Sequence, residues 1–253
     1  MVDFGAQSGV PTIGADESEQ LLARYGPLAE AVRELIDATI RTQADDATMR
    51  EATTQVRQVT ERLRDGILSD APGMRYVVDG RPLAWGNAVI GLRNPIAPPL
   101  VIEHGGSASL DGGEATLGPP HEHGGSASLD GGEATLGPPH EHGENGHCWS
   151  DFHLGAAYEG PPSLVHGGVS ALILDHLLGE AASEGLTKPL FTGTITVKYL
   201  RGTPLGPLRA EAWVYRREAI KTYARGHIAD SAGVTVEAEG VFIIPAWARE
   251  SVE

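Results

Sequence analysis

The chain holds a single cysteine, Cys148, so no internal disulfide can form, and a reducing compartment suits it. It contains no apolar run approaching the roughly 20 residues that a membrane-spanning helix needs. Its opening, MVDFGAQSGVPT, lacks the basic and apolar stretches of a secretory signal, and the expectation is a soluble, cytoplasmic protein. Basic residues are scarce: 19 Lys and Arg stand against 34 Asp and Glu, a formal net charge of -15. That balance argues against nonspecific binding to nucleic acid or anionic lipid, and no membrane insertion is expected. The deficit is uneven. Between Lys198 and Arg225 seven basic residues face two acids, a local excess able to receive phosphates.

Within its 253 residues the chain has room for one well-cored domain and an appendage. From Ser18 to about Thr42, Leu21, Leu22, Tyr25, Leu28, Val32, Leu35, Ile36 and Ile40 recur at helical spacing, with a break or kink expected at Gly26-Pro27. A second helix, about Asp46 to Leu68, carries Met49, Ala52, Val56, Val59, Leu63 and Ile67 at alternating steps of three and four, a seam suited to another helix. Residues 1–70 are therefore read as an N-terminal helical hairpin for packing or oligomerisation. Short strands are expected at Arg75–Val78, at Ala88–Ile90 and at Leu100–Glu103, with a turn at Asp79-Gly80.

Residues 103–143 hold a tandem repeat: Glu103 to His121 reads EHGGSASLDGGEATLGPPH, and Glu122 to His140 repeats it letter for letter. Each copy has only two leucines, too few for a stacking core, so the repeat reads as a loop inserted in the second domain, residues 71–247. His121, His123, His140 and His142, with His104 and His147, resemble a metal cluster. Duplication makes such clusters automatically, and no metal site is assigned.

Everything after the repeat is organised around GPPSLVHGGVSALILDHLLG, residues 160–179. The run from Val169 to Leu178 has no β-alternation and reads as a helix buried nearly all round, with Asp175 its only carboxylate. A lone acid in such a helix is costly unless it is used. Asp175 lies two turns after Gly168 and shares its face. Free N–H groups at the helix start, backed by the dipole, can hold an oxyanion, and glycines let a carbonyl approach the backbone. Asp175 can act as general base or nucleophile, which together suits acyl transfer. One strand from Cys148 to Tyr158 precedes the helix; four follow, at Leu190–Leu200, Leu208–Arg216, Lys221–Ala229 and Val234–Ile244. The fold class is α+β, an antiparallel sheet curled around one central helix.

That order, with GPPSLVHGG, an acid nine residues after His166, and FTGTITVKYLRGTPLGPL from Phe191, resembles the hotdog-fold acyl-CoA thioesterases of the PaaI and human thioesterase superfamily type. The likeness spans roughly residues 72–246 without the repeat. It implies hydrolysis of a fatty or aryl acyl-CoA, with Asp175 as base or nucleophile, Gly167 and Gly168 as oxyanion donors and His166 positioning the thioester and the helix start. It also implies that Thr192 contributes from a partner subunit and that the protein is a homodimer or homotetramer in lipid metabolism. Lys198, Arg201 and Lys221 are candidates for the coenzyme A phosphates, coenzyme A being part of the substrate rather than a separate cofactor. Some relatives carry an amide residue where this chain has Gly160. A hotdog protein that binds or senses acyl-CoA without cleaving it is the alternative.

Overall fold

The computed structural model describes residues 10–68, 73–105 and 146–251. Of the tandem repeat only Glu103, His104 and Gly105 are among them; His121, His123, His140 and His142 lie outside the described residues. Two helices come first, α1 (Ala15–Arg41) and α2 (Asp46–Arg64), then a hairpin of β1 (Met74–Val78) and β2 (Arg81–Ala84). The main sheet comprises β3 (Glu103–Gly105), β4 (His147–Leu154), β5 (Phe191–Tyr199), β6 (Gly206–Glu218), β7 (Lys221–Asp230) and β8 (Gly233–Ile243). Its order is β3-β4-β6-β7-β8-β5, and every neighbouring pair is antiparallel. The central helix, α3 (Gly167–Ala182), sits between β4 and β5 in sequence and packs on β6, β7 and β8.

Side-chain size explains the close fit of helix to sheet. The sheet face under α3 carries Ala210, Ala212 and Ala224, all fully buried, while the helix supplies Ile173, Leu174, Leu177 and Leu178. Small residues on one surface and large ones on the other interdigitate, and each buried Leu or Ile stabilises the fold by about 1.5–3 kcal/mol. Strand β4 alternates strictly between buried and outward positions, as a strand with one covered face must. Asp79 and Gly80, both at positive φ (49° and 77°), close the β1–β2 hairpin, the geometry a two-residue primed turn requires.

Several expectations need correcting. Residues 88–90 form turns rather than a strand, because the Asn87 side chain accepts the N–H groups of Val89 and Ile90. The strand expected at Leu100–Glu103 starts only at Glu103, beyond Pro98 and Pro99, which have no N–H to give a ladder. The strand expected to reach Tyr158 ends at Leu154 and is followed by a short 3₁₀ turn, Ala156–Tyr158. Pro27 leaves α1 unbroken. α1 rests on the 3₁₀ turn, and its Tyr25 meets Trp85 edge-on at 5.2 Å. α2 buries no residue, so its seam has no partner within the described chain.

Candidate active site

The loop leading into α3 is stiffened before the helix begins. Leu164 N–H bonds to Pro161 O across Pro162-Ser163, and Ser163 takes a positive φ of 63°, as the third position of a type II turn demands. Gly160 lies against His166: a Cβ there would stand 2.8 Å from His166 Cα. A side chain at that position would force His166 or the loop to shift.

His166 then caps the helix. Its Nδ1 accepts the Gly168 N–H at 3.0 Å, and its carbonyl accepts from Val169 and Ser170. Gly168 is thereby withdrawn as an oxyanion donor, a correction to the expected pair of glycine amides. The Gly167 N–H has no acceptor among the described residues and remains available. Tyr199, on β5, donates from its hydroxyl to Gly167 O at 2.7 Å and lays its ring over Gly167. No local sequence signal marks this tyrosine, since it touches the helix start from 32 residues away.

Asp175 is half-buried and opens into a cavity of about 340 Å³. Thr192 donates from Oγ1 to Asp175 Oδ1 at 2.9 Å. This bond joins two residues of one chain, whereas the threonine was expected from a partner subunit. Its aim comes from a register shift between Thr192 and Thr194 in the pairing of β5 with β8. Gly193 sits in that irregularity, where a Cβ would stand 2.7 Å from Ile243 Cδ1 and 3.2 Å from Val241 O. Bulges of this kind re-aim side chains beside functional sites. His176 and Gly179 of α3, Phe191 of β5 and Phe242 of β8 continue the cavity wall, and Met74 and Pro82 of the hairpin complete it.

Helix geometry limits what one chain can do alone. Gly167 and Asp175 are eight residues apart, which at about 1.5 Å per residue is roughly 12 Å along the axis. A thioester carbonyl resting on the Gly167 N–H is therefore out of reach of the same chain's Asp175.

A second acid, Glu180, is more deeply buried than Asp175. His104 Nε2 lies 3.4 Å from its Oε1 and His176 Nε2 lies 3.8 Å from its Oε2. Burial pushes the His176 pKa down, against the upward pull of Glu180 and Asp175. Burial also pushes the Cys148 thiol up, and its Sγ points to Leu177 O, so this cysteine is structural. His147 is engaged by Glu211 at 2.6 Å, and no group of side chains suited to holding a metal ion occurs among the described residues.

The three cationic candidates do not form one patch. Arg201 is engaged by both Asp230 oxygens and by Gly233 O, which satisfies its fork internally. Lys221 pairs in register with Ile243, the partner of Phe191, while Lys198 pairs with Glu237. Those partners on β8 are six residues apart, which at about 3.3 Å each places the two lysines roughly 20 Å apart along the sheet.

A sheet wrapped round one helix, with a capped glycine start and an acid two turns in facing a cavity, defines a hotdog domain. Residues 163–237 match the family model described as Thioesterase superfamily. A crystal structure of a thioesterase superfamily protein superposes with TM-score 0.63 at 26% identity, covering 87% of this chain and 94% of that one. The PaaI protein of E. coli, from the phenylacetic acid degradation operon, aligns at 16% identity and TM-score 0.38 over 41% of this chain and 75% of its own. Zebra fish thioesterase superfamily member 2 aligns at 13% identity and TM-score 0.37, over 40% and 76%. No curated protein matches the chain. Among the described residues no helix is long and apolar enough to cross a membrane.

Proposed function

We propose that the protein is an acyl-CoA thioesterase acting at sites formed between protomers, in the cytoplasm. The observation that carries this reading is the Asp175 carboxylate, held by Thr192 and open to a cavity rather than sealed in the core. Water, deprotonated by Asp175, adds to the thioester carbonyl; the carbon–sulfur bond then breaks, giving the free acid and the coenzyme thiol. The oxyanion rests on the Gly167 N–H of the other protomer, since the same helix cannot supply both groups to one carbonyl. Strand β5 supports the pairing: it is a sheet edge, and Phe191 and Tyr199 on it are more than half exposed. Lys198 and Lys221 are the residues proposed to meet the coenzyme A phosphates, one from each end of the sheet.

Thiol release across a panel of acyl-CoA thioesters tests the proposal. Turnover by the wild type, lost in Asp175→Asn with acyl-CoA binding retained, supports it. Binding without turnover by the wild type replaces it with the acyl-CoA-sensing alternative.

A further inference from the structure

We infer that the β1–β2 hairpin is the gauge of acyl size, an inference that rests on the thioesterase reading above. Met74, at the start of β1, and Pro82, in β2, line the same cavity as the Asp175 carboxylate, and Asn87 continues that wall. All three lie outside residues 163–237, so the wall is built from sequence beyond the stretch that matches the superfamily model.

The opposite side is closed by the sheet. Phe242 is buried and stands 3.3 Å from where a Gly179 Cβ would be. Gly179 is one turn beyond Asp175, so the absence of a side chain there leaves room for the ring beside the Asp175 carboxylate. The cavity's volume of about 340 Å³ is near the lower end for ligand sites, roughly 300–1,000 Å³. Apart from Asp175, Thr192, His176, Asn87 and Lys188 its lining is glycine and apolar side chains. A compact apolar acyl group, aromatic or of short to medium length, fills such a space; a long fatty chain meets the hairpin.

The wall is braced rather than free. Tyr76 of β1 packs edge-on against Trp85 at 5.4 Å, and Trp85 in turn against Tyr25 of α1. Arg93 lies over both Tyr25 and Trp85, at 4.1 and 5.1 Å from their ring centres. Met74 is the adaptable member, unbranched and able to follow the shape of what it touches.

The experiment measures kcat/KM for acetyl-, hexanoyl-, phenylacetyl- and palmitoyl-CoA with the full chain, its Met74→Ala and Met74→Trp variants, and Pro82→Ala. One methylene in an apolar pocket is worth roughly 10- to 200-fold in kcat/KM, so the profile is sensitive to this wall. The wild type is expected to favour hexanoyl or phenylacetyl over palmitoyl. Met74→Ala and Pro82→Ala shift the ratio toward palmitoyl by roughly tenfold or more, and Met74→Trp shifts it toward acetyl. Thermal melts confirm folding, and Met74→Phe stands in if the tryptophan variant does not fold. A wild-type preference for palmitoyl, or folded variants with an unchanged chain-length profile, overturns the inference alone. No turnover of any thioester by the wild type overturns the thioesterase reading and this inference together.

Discussion

Thr192 and Asp175 meet within one chain, Oγ1 to Oδ1 at 2.9 Å, although 17 residues and a change from helix to strand separate them. The bond leaves the other carboxylate oxygen for water. Replacing Asp175 by Asn removes the base and is expected to lower kcat by roughly 10²- to 10⁴-fold. Thr192→Val, which keeps the shape and removes the donor, is expected to lower kcat roughly tenfold, with Thr192→Ser close to wild type. Steady-state kinetics on one acyl-CoA check both.

The distance along α3 yields a subunit-mixing test. Gly167→Pro removes the free N–H while suiting a first helical position, and His166 already has the extended backbone that precedes proline (φ −62°, ψ 131°). Gly167→Pro and Asp175→Ala are each expected to be inactive alone. Random pairing of the two is expected to restore about a quarter of wild-type activity, because half of the dimers then hold one intact site made from both chains. No recovery in mixed dimers, with exchange verified by differently tagged chains, rejects the shared site.

His166 holds the start of α3 through Nδ1, so His166→Ala is expected to cost about 1 kcal/mol of stability. His166→Asn, whose side-chain oxygen can accept the same N–H, recovers most of that loss. Denaturant melts of the two variants measure the difference.

Acid should loosen the fold before it protonates most carboxylates. Burial holds His176 below its ordinary value of 6.5, and burial does the same to His227 against the pull of Glu211 and Glu237. The folded state thus binds fewer protons than the unfolded state, so stability is complete above the unfolded value and falls as pH drops below about 6.5. A flat Tm above neutrality with a decline on acidification is expected, and His176→Gln or His227→Gln should reduce the slope. A Tm that stays level between pH 7 and 5 refutes this.

The helix and its acid were legible in the sequence because both signals are local. A carboxylate inside an apolar run stands out, and the glycines beside His166 mark the helix start. Thr192 was legible only by resemblance, since its aim depends on a strand irregularity at Gly193 that propensity does not encode. Tyr199 and the Gly168–His166 bond were missed because each is settled by contact in three dimensions. The cationic cluster looked real in a linear count and dissolved in register, where Lys198 and Lys221 stand at different levels of the sheet. The strand expected at Ala88–Ile90 failed for a short-range reason, the Asn87 side chain outcompeting a ladder for two N–H groups.

Cys148, the only sulfhydryl of the chain, lies fully covered under α3. Dyes that react with thiols will therefore see released coenzyme A against a silent protein background, in real time and without quenching. The same shielding makes any cysteine placed on the surface a unique attachment point, so spectroscopic labels can be set on the hairpin or on β5 without first removing the natural one.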